Sequence, residues 1–357
     1  MKDIKAQDRA GSVHFAAVNS GEGFKSFYER VFGGKDITHR YIIKGGPGTG
    51  KSSFMRRVAS SAEAHGYAVE YYRCSSDPDS LDGIVFDTRS GRVAMLDGTA
   101  PHSMDAVLPG VRDEIVNLGE FWDPEILAKH YNEIVSLDAL KDSAYRKAYR
   151  YLSAAAEVEK INISLAEPFL LRDKLESAVG RLLKNVPNGK GFSLTPAIAD
   201  SVSMKGSVRF DSYERAAKKL YIVDDHYSMG AYFLSYVIEE AQKKNCAVRV
   251  SYRPLLPELP DAVMLTESGV CFVMGVHSDI DFDGRVNMKR FIDGEGLCAV
   301  KTEYRINKRL CEALTDSAIE ALADAGRYHF KLEEIYVSSM DFSAEEKFAK
   351  SFCAKLF

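Results

Sequence analysis

The sequence predicts an α/β fold made of two similar lobes. The first observation is a motif of the form G-x-x-x-x-G-K-S at residues 45–52, with a predicted strand before it and a helix after it. The second is that the order of elements around this motif recurs beyond residue 219, although most of the residues differ. The third is a long helical segment after each copy. Each lobe is therefore predicted to be a mainly parallel sheet flanked by helices, followed by a helical appendage.

The motif itself is typical of a phosphate-binding loop, the Walker A motif. Its glycines let the backbone curl, so that successive N–H groups point at an anion next to a helix N-terminus. In this pattern Lys51 contacts the β- and γ-phosphates, and the hydroxyl of Ser52 is a ligand of Mg²⁺. The residues expected to bind a nucleoside triphosphate are Gly45, Gly46, Pro47, Gly48, Thr49, Gly50, Lys51, Ser52 and Ser53.

The segments on both sides of the motif favour this interpretation. Residues 40–44 are rich in aromatic and β-branched residues and predict a strand. Behind the motif, Phe54, Val58 and Ala62 recur at helical spacing. Gly66 then supplies a C-terminal stop.

A second Mg²⁺ ligand is predicted at Asp97, which ends an apolar strand at residues 92–96. This matches the Walker B pattern, in which an aspartate at the end of a strand holds the metal directly or through water. Asp97 is followed by Gly98, so the Asp-Glu pair of many ATPases is missing. Another group must then activate the attacking water, or hydrolysis is slow.

Three further residues are candidates for a catalytic role beside Lys51. Asp77 and Asp82 follow the predicted strand at residues 67–72, where an open α/β sheet places its ligands. They could order the water around Mg²⁺ or activate a nucleophile, although turn chemistry explains this loop equally well. His102 could sense the γ-phosphate, or could be a structural histidine in a tight turn.

Composition excludes several classes of protein. The chain has 357 residues and a net charge of −4, which gives no electrostatic reason to expect nucleic acid as the main partner. No apolar run approaches the roughly 18 residues that span a bilayer, and residues 1–5 lack the apolar core of a signal peptide. Six cysteines without C-x-x-C spacing favour reduced thiols. We expect a cytoplasmic protein without a membrane partner; a protein partner remains open.

The predicted organisation has five parts. They are the nucleotide-binding lobe (13–123), a helical appendage (124–186), a linker (187–218), a degenerate lobe (219–300) and a C-terminal helical region (301–357). Residues 111–123 have the spacing of a helix that closes the first lobe. In the second lobe the chemistry of the motif is lost: Asp225 replaces Gly45, Ala231 replaces Lys51, Tyr232 replaces Ser52 and Gly275 replaces Asp97. We therefore predict that the second lobe binds no nucleotide.

Residues 41–52, 74–83, 97–102 and 109–123 together resemble a group of little-characterised bacterial ATP-binding proteins with tandem P-loop lobes. In that group both halves commonly keep the motif, whereas here only the first half does. The resemblance is close over residues 13–123. It implies a P-loop NTPase fold that binds ATP, and it implies no particular substrate.

Three functions are compatible with these observations. The first is a Mg²⁺-dependent ATPase or nucleotide-driven switch with one working site. The second is a small-molecule or nucleotide kinase, with the loop at residues 74–82 and the helical appendage covering the acceptor. The third is a nucleotide-binding sensor or scaffold without turnover. Phosphate release without an acceptor, transfer to an acceptor and binding alone distinguish them.

Overall fold

The computed structural model describes residues 12–101, 103–275 and 279–357. The strands of the first half are β1 (Val13–Phe15), β2 (Ala17–Ser20), β3 (Gly23–Ser26), β4 (Ile37–Lys44), β5 (Val69–Arg73), β6 (Leu81–Thr88), β7 (Gly91–Asp97) and β8 (Asp113–Asn117). Its helices are α1 (Tyr28–Phe32), α2 (Lys51–Ala64), α3 (Pro124–Lys129), α4 (Tyr131–Ala166) and α5 (Arg172–Leu183), with 3₁₀ helices at Leu118–Phe121 and Glu167–Phe169.

The second half repeats this order of elements. Its strands are β9 (Leu194–Pro196), β10 (Asp200–Ser203), β11 (Gly206–Arg209), β12 (Lys219–Asp224), β13 (Val248–Tyr252), β14 (Pro260–Leu265), β15 (Val270–Met274) and β16 (Gly284–Asn287). Its helices are α6 (Ser212–Ala216), α7 (Gly230–Lys243), α8 (Gly294–Ser338) and α9 (Phe342–Leu356), with a 3₁₀ helix at Met288–Phe291.

The two halves form six-stranded sheets of the same topology, which confirms an α/β fold with a repeated lobe. The strand order is β1-β5-β6-β7-β4-β8 in the first sheet and β9-β13-β14-β15-β12-β16 in the second. Both sheets are mixed, however, and not mainly parallel. In each sheet the middle strand, β6 or β14, runs antiparallel to both of its neighbours, because it is joined to the next strand by a hairpin.

The segment at residues 187–218 is part of the second lobe, so its prediction as a linker was wrong. It contains β9, which is the edge strand of the second sheet, followed by the hairpin β10–β11 and the helix α6. These elements repeat β1, the hairpin β2–β3 and α1 of the first half. Because the strands contain three or four residues each, they are too short for hydrophobic periodicity to reveal them.

Residues 111–123 also differ from their predicted helix, since they contain β8 and a 3₁₀ helix. β8 pairs with β4 in parallel, and Arg40 donates to both carboxylate oxygens of Asp113 over 3.0 and 2.9 Å. The two side chains are almost fully buried. A buried bidentate ion pair needs both partners, because either charge alone would be costly to bury. This long-range contact stabilises a strand where the local pattern indicates a helix.

The last helix of each half packs against the sheet of the other half. α5 follows the first half, but its buried residues Leu175, Val179 and Leu183 belong to the core around α7. α9 follows the second half, but its Phe352 packs against Tyr41 and Phe54 in the core of the first sheet. The two halves therefore exchange helices, as the subunits of a swapped dimer do.

The long helices α4 and α8 form an antiparallel pair between the two lobes. The N–H of Asp123, before α3, donates to the carbonyl of Ser339, directly after α8. Likewise the N–H of Asp293, before α8, donates to the carbonyl of Phe169, which follows α4. Each helix thus begins at one lobe and ends at the other. Within the described chain, no helix is both long enough and apolar enough to cross a membrane.

An approximate two-fold axis relates the halves. It passes near Phe15 and Ile198, whose backbones exchange two hydrogen bonds of 2.7 and 3.3 Å. Around it, equivalent contacts occur in pairs: the N–H of Gly21 donates to the carbonyl of Leu255, and the N–H of Met204 donates to that of Ser76. The chain therefore has the arrangement of a symmetric dimer within one polypeptide.

Candidate functional site

The glycine-rich loop joins β4 to α2, as the sequence predicts. Gly48 and Gly50 have φ angles of +70° and +78°, a left-handed conformation that side chains other than glycine rarely adopt. Thr49, between them, donates from its hydroxyl to the carbonyl of Gly46 over 2.9 Å and closes the loop. Such alternating conformations turn backbone N–H groups to one side, which is the geometry of an anion-binding nest at a helix N-terminus.

Lys51 is the first residue of α2, and its side chain folds back over the loop. Its Nζ donates to the carbonyls of Gly45 and Gly46 over 2.9 and 2.8 Å. The same Nζ lies 3.6 Å from Oδ2 of Asp97, and the two side chains are 14% and 13% exposed. The ammonium therefore lies against the backbone of the loop, and the carboxylate of Asp97 is its charged partner.

Asp97 reaches this position through the pairing of β7 with β4, which places it beside Ile43 at the carboxyl end of the sheet. The backbone N–H and the hydroxyl of Thr99 both donate to its Oδ1. These two bonds fix the carboxylate so that Oδ2 points at Lys51. A carboxylate held in this way is a preorganised ligand for a cation.

Ser52 is the second residue of α2, and its Oγ accepts a hydrogen bond of 3.0 Å from the N–H of Leu81. No group of three or more metal-binding His, Cys, Asp or Glu side chains occurs in the described chain. Mg²⁺ in phosphate sites is commonly held by one or two protein oxygens together with phosphate oxygens and water. The hydroxyl of Ser52 and the carboxylate of Asp97 fit such a metal–nucleotide site, in which the nucleotide supplies the remaining ligands.

Asp82 lies close to Asp97, whereas Asp77 lies in a turn. Asp82 is buried on β6, and its charge and that of Asp97 add to burial in raising the pKa of the Tyr28 hydroxyl far above its usual value. The Oδ2 of Asp77 accepts from the hydroxyl of Ser80 over 2.8 Å. Its Oδ1 is ion-paired with Lys205 of the second half at 2.9 Å. These contacts favour the structural interpretation of Asp77. His102 lies outside the described residues.

The outer face of the loop is covered by residues that sequence reasoning did not identify. A Cβ on Gly46 would lie 3.3 Å from the ring of Trp122, whose ring centre is 5.4 Å from that of Tyr336 on α8. A Cβ on Gly48 would lie 2.8 Å from the carbonyl oxygen of Glu333, also on α8. The C-terminal end of α8 thus packs directly on the loop. The sequence does predict a long helical segment after each lobe. This pattern does not show which loop each helix contacts, so the packing of α8 on the glycine-rich loop could not be predicted from it.

In the equivalent loop of the second lobe a carboxylate lies at the N-terminus of the following helix. Oδ1 of Asp225 accepts from the N–H of Gly230, at the start of α7, over 2.7 Å. Tyr227 and Ser228 have left-handed φ angles of 55° and 63°, but of the two only Ser228 aligns with a left-handed residue of the first loop, Gly48. Burial raises the pKa of Asp225. The strand register aligns Asp97 with Met274, which corrects the predicted match with Gly275.

The end of α4 covers this second loop as the end of α8 covers the first. Oε1 of the buried Glu159, on α4, accepts from the hydroxyl of Ser228 over 2.6 Å. The same oxygen accepts from Nη2 of Arg253 over 2.9 Å. A side chain on the crossing helix therefore contacts the fourth residue of the loop directly.

Two clefts of the described chain lie away from both loops. One of about 450 Å³ lies at the free edge of the first sheet and is lined by His39, Ala106 and residues 109–115. The other, of about 260 Å³, lies beside α1 and includes Tyr28 and Met104 in its lining. Neither contains a residue of the glycine-rich loop. The candidate site is therefore distinguished by its chemistry and not by the size of a cavity.

Comparison with known proteins finds no matching family model, no similar curated protein and no similar solved structure. The functional argument therefore depends on the residues of this chain alone. Among these, the glycine-rich loop, Lys51, Ser52 and Asp97 form the most specific arrangement.

Proposed function

We propose that this protein binds ATP with Mg²⁺ at the loop of residues 45–52 and hydrolyses it, with one working site per chain. The observation that supports this most strongly is the convergence of Lys51 and Asp97, 3.6 Å apart, at a loop with left-handed glycines and a helix N-terminus. An ammonium, a row of N–H groups and an oriented carboxylate are the groups that a metal-bound triphosphate requires.

Lys51 would exchange its present partners for phosphate. Its ammonium donates to two neutral carbonyls of the loop, those of Gly45 and Gly46. A carbonyl offers the ammonium only a dipole, whereas a phosphate oxygen carries an opposite charge and adds a Coulomb attraction to the hydrogen bond. A triphosphate in the loop would therefore attract the ammonium away from the carbonyls.

The second lobe is proposed to bind no nucleotide. The carboxylate of Asp225 accepts a hydrogen bond from the helix N-terminus that a phosphate would otherwise contact. A triphosphate would have to displace this carboxylate and would meet Ala231 where the first lobe has Lys51. Two anions at one buried site repel each other strongly.

Equilibrium dialysis with labelled ATP and Mg²⁺ tests both the position of the site and the number of ATP molecules bound per chain. The wild-type protein should bind one ATP per chain. Lys51→Ala should bind at least tenfold more weakly, because it removes charge-assisted bonds worth about 1.5–3 kcal/mol. Lys35→Ala, at an exposed lysine ahead of β4, is the matched control and should bind as the wild type does. Unchanged affinity in a folded Lys51→Ala protein, or two sites per chain, would contradict the proposal.

Release of inorganic phosphate, measured with and without an extract of cell metabolites, then separates the alternatives. Release without the extract indicates an ATPase. ATP consumption that requires the extract and yields a phosphorylated acceptor indicates a kinase. Binding without consumption under either condition indicates a sensor or scaffold.

A further inference from the structure

The position of Asp97 determines the direction in which ATP would lie on the glycine-rich loop. Asp97 ends β7, which pairs with one side of β4, whereas β8 pairs with the other side. A metal ion held by this aspartate bridges the β- and γ-phosphates. The γ-phosphate would therefore lie towards β7, and the nucleoside would extend towards β8 and the segment that follows it.

Two aromatic side chains lie beside the loop where the nucleoside is expected. Trp122 follows β8 after the 3₁₀ helix Leu118–Phe121, and its six-membered ring comes within 3.3 Å of the position of a Cβ on Gly46. Tyr336 on α8 comes within 3.8 Å of the same position, and the two ring centres are 5.4 Å apart. Both side chains are partly exposed, so solvent reaches part of this aromatic pair.

Backbone contacts between the two halves hold Trp122 in place. The N–H of Asp123 donates to the carbonyl of Ser339 over 2.8 Å, and the N–H of Asp341 donates to that of Phe121 over 2.9 Å. Trp122 lies between these two bonds in the chain. The backbone that carries the indole is therefore positioned before a ligand binds, which lowers the entropy that binding costs.

The second lobe has the same backbone contacts without the aromatic pair. Its equivalent hydrogen bonds align Ile292 with Trp122. They likewise align Ala166, at the end of α4, with Tyr336. Ile292 and Ala166 are 5% and 0% exposed. Buried aliphatic side chains are therefore sufficient to join a crossing helix to a lobe, and the partly exposed rings accompany the lobe that has Lys51.

We propose that Trp122 and Tyr336 form the subsite for the base of the bound nucleotide, and that this subsite selects a purine. This rests on the ATP-binding function proposed above. Bases stack on aromatic side chains through their flat faces, whatever their hydrogen-bonding pattern. A purine has two fused rings and a pyrimidine has one, so a purine covers more of the aromatic pair. ATP and GTP should therefore bind more tightly than CTP and UTP.

The test compares Mg·ATP with inorganic tripolyphosphate and Mg²⁺, which supply the same phosphate chain without a nucleoside. Trp122→Ala should bind ATP about tenfold more weakly, because it loses the stacking on the base, and should bind tripolyphosphate within twofold of the wild type. Trp122→Phe should recover most of the affinity for ATP, since it keeps a ring. Tyr336→Ala should show the same selective loss. Phe330→Ala is the matched control, because Phe330 is an aromatic residue of α8 that is 41% exposed, and it should bind both ligands as the wild type does.

The wild-type protein offers a second measurement, because Trp122 is the only tryptophan of the chain. Its fluorescence should change as ATP saturates the site, since a stacked base contacts the indole. Tripolyphosphate should change it far less. Equal changes with the two ligands would indicate a movement of the loop and would overturn the inference. This measurement decides if Trp122→Ala does not fold.

The affinities distinguish a failure of this inference from a failure of the proposed function. Absence of ATP binding in the wild type would overturn both, whatever tripolyphosphate does. Wild-type affinity for ATP in Trp122→Ala would overturn the base subsite alone. So would equal losses of affinity for ATP and tripolyphosphate in that variant, which indicate a structural role. Equal affinities of the wild type for ATP and CTP would contradict the selection of a purine.

Discussion

Asp97 ends β7 and lies 3.6 Å from the ammonium of Lys51, with its other oxygen held by Thr99. At the equivalent position the second lobe has Met274, and it has Ala231 in place of Lys51. Single side chains thus distinguish the two equivalent loops. The first has an ammonium beside a carboxylate, whereas the second has neither side chain at the equivalent positions and is capped by its own Asp225.

Asp97→Asn should remove the increase in ATP affinity that Mg²⁺ produces and should leave the metal-free affinity nearly unchanged. The amide keeps the shape of the carboxylate but loses the charge that Mg²⁺ and its bound water require. The measurement is a pair of ATP titrations, with Mg²⁺ and with a chelator. Asp105→Asn is the control, since Asp105 is exposed and pairs with Lys44 near the same edge of the sheet. An undiminished Mg²⁺ effect in Asp97→Asn would reassign the metal to another carboxylate, most simply the nearby Asp82.

At the scale of elements, the exchanged helices make each lobe depend on the other half of the chain. α9 covers α2, so residues near the C-terminus complete the core behind the glycine-rich loop. Arg57 on α2 also donates to the buried carboxylate of Glu345 on α9 over 2.8 Å. The start of α2 forms one side of the candidate site. The position of α9 should therefore influence the site through α2.

Phe352→Ala should destabilise the protein by about 3–5 kcal/mol, the usual cost of removing a large buried aromatic side chain. Phe352 is 9% exposed, and its ring lies 5.0 Å from Tyr41 and 5.3 Å from Phe54, centre to centre. Phe330→Ala is the control, because Phe330 is 41% exposed on α8 and should cost far less. The measurement is the free energy of unfolding in urea. Equal values for the two variants would mean that α9 does not pack on the first sheet.

At the scale of the whole molecule, the two halves meet through opposite charges at equivalent positions. Glu70 is the second residue of β5, and Arg249 is the second residue of β13. Nη2 of Arg249 donates to Oε1 of Glu70 over 2.6 Å. In a symmetric dimer of identical chains each residue near the axis would meet its own copy, and two equal charges would repel each other. The opposite charges therefore make the halves complementary and distinguish the first from the second.

The ion pair of Glu70 predicts an acid-dependent loss of stability. Burial alone would raise the pKa of Glu70, but the guanidinium groups of Arg249 and Arg92 outweigh it and lower the pKa to about 2, from a usual value of 4.5. A lowered carboxyl pKa stabilises the folded state fully above the unfolded value, and this contribution is lost as the pH falls towards the folded value. The wild type should therefore lose up to about 3 kcal/mol between roughly pH 5 and pH 2 through this group.

Urea unfolding of the wild type and Glu70→Gln across this pH range measures the effect. The difference in unfolding free energy should be largest above pH 5 and should shrink to near zero at pH 2, where the carboxyl group becomes protonated in the wild type too. Glu114→Gln is the control, because Glu114 is an exposed carboxyl on the edge strand β8. A difference that does not vary with pH would show that the charge of Glu70 does not join the halves.

Local features of the glycine-rich loop could be predicted because they depend on neighbouring residues. The helical spacing of Phe54, Val58 and Ala62 predicted α2, and all three are buried on it. The glycines predicted a curled backbone, and Gly48 and Gly50 do have left-handed φ angles. The repeated order of strands also predicted two similar lobes, since each lobe is built of elements that are recognisable one at a time.

The exchange of α5 and α9, the short strands at residues 194–209 and the contact of α8 with the loop were decided by the tertiary structure. Each depends on contacts between residues far apart in the chain, and local patterns do not specify those contacts. Helical periodicity shows that α9 has an apolar face, but not which core that face covers. The sequence by itself determined a glycine-rich loop between a strand and a helix in the first half, because that depends on neighbouring residues, and the replacement of its lysine and most of its glycines in the second. The residues of α8 that cover the first loop from across the molecule, such as Glu333 and Val337, could be identified only from the fold.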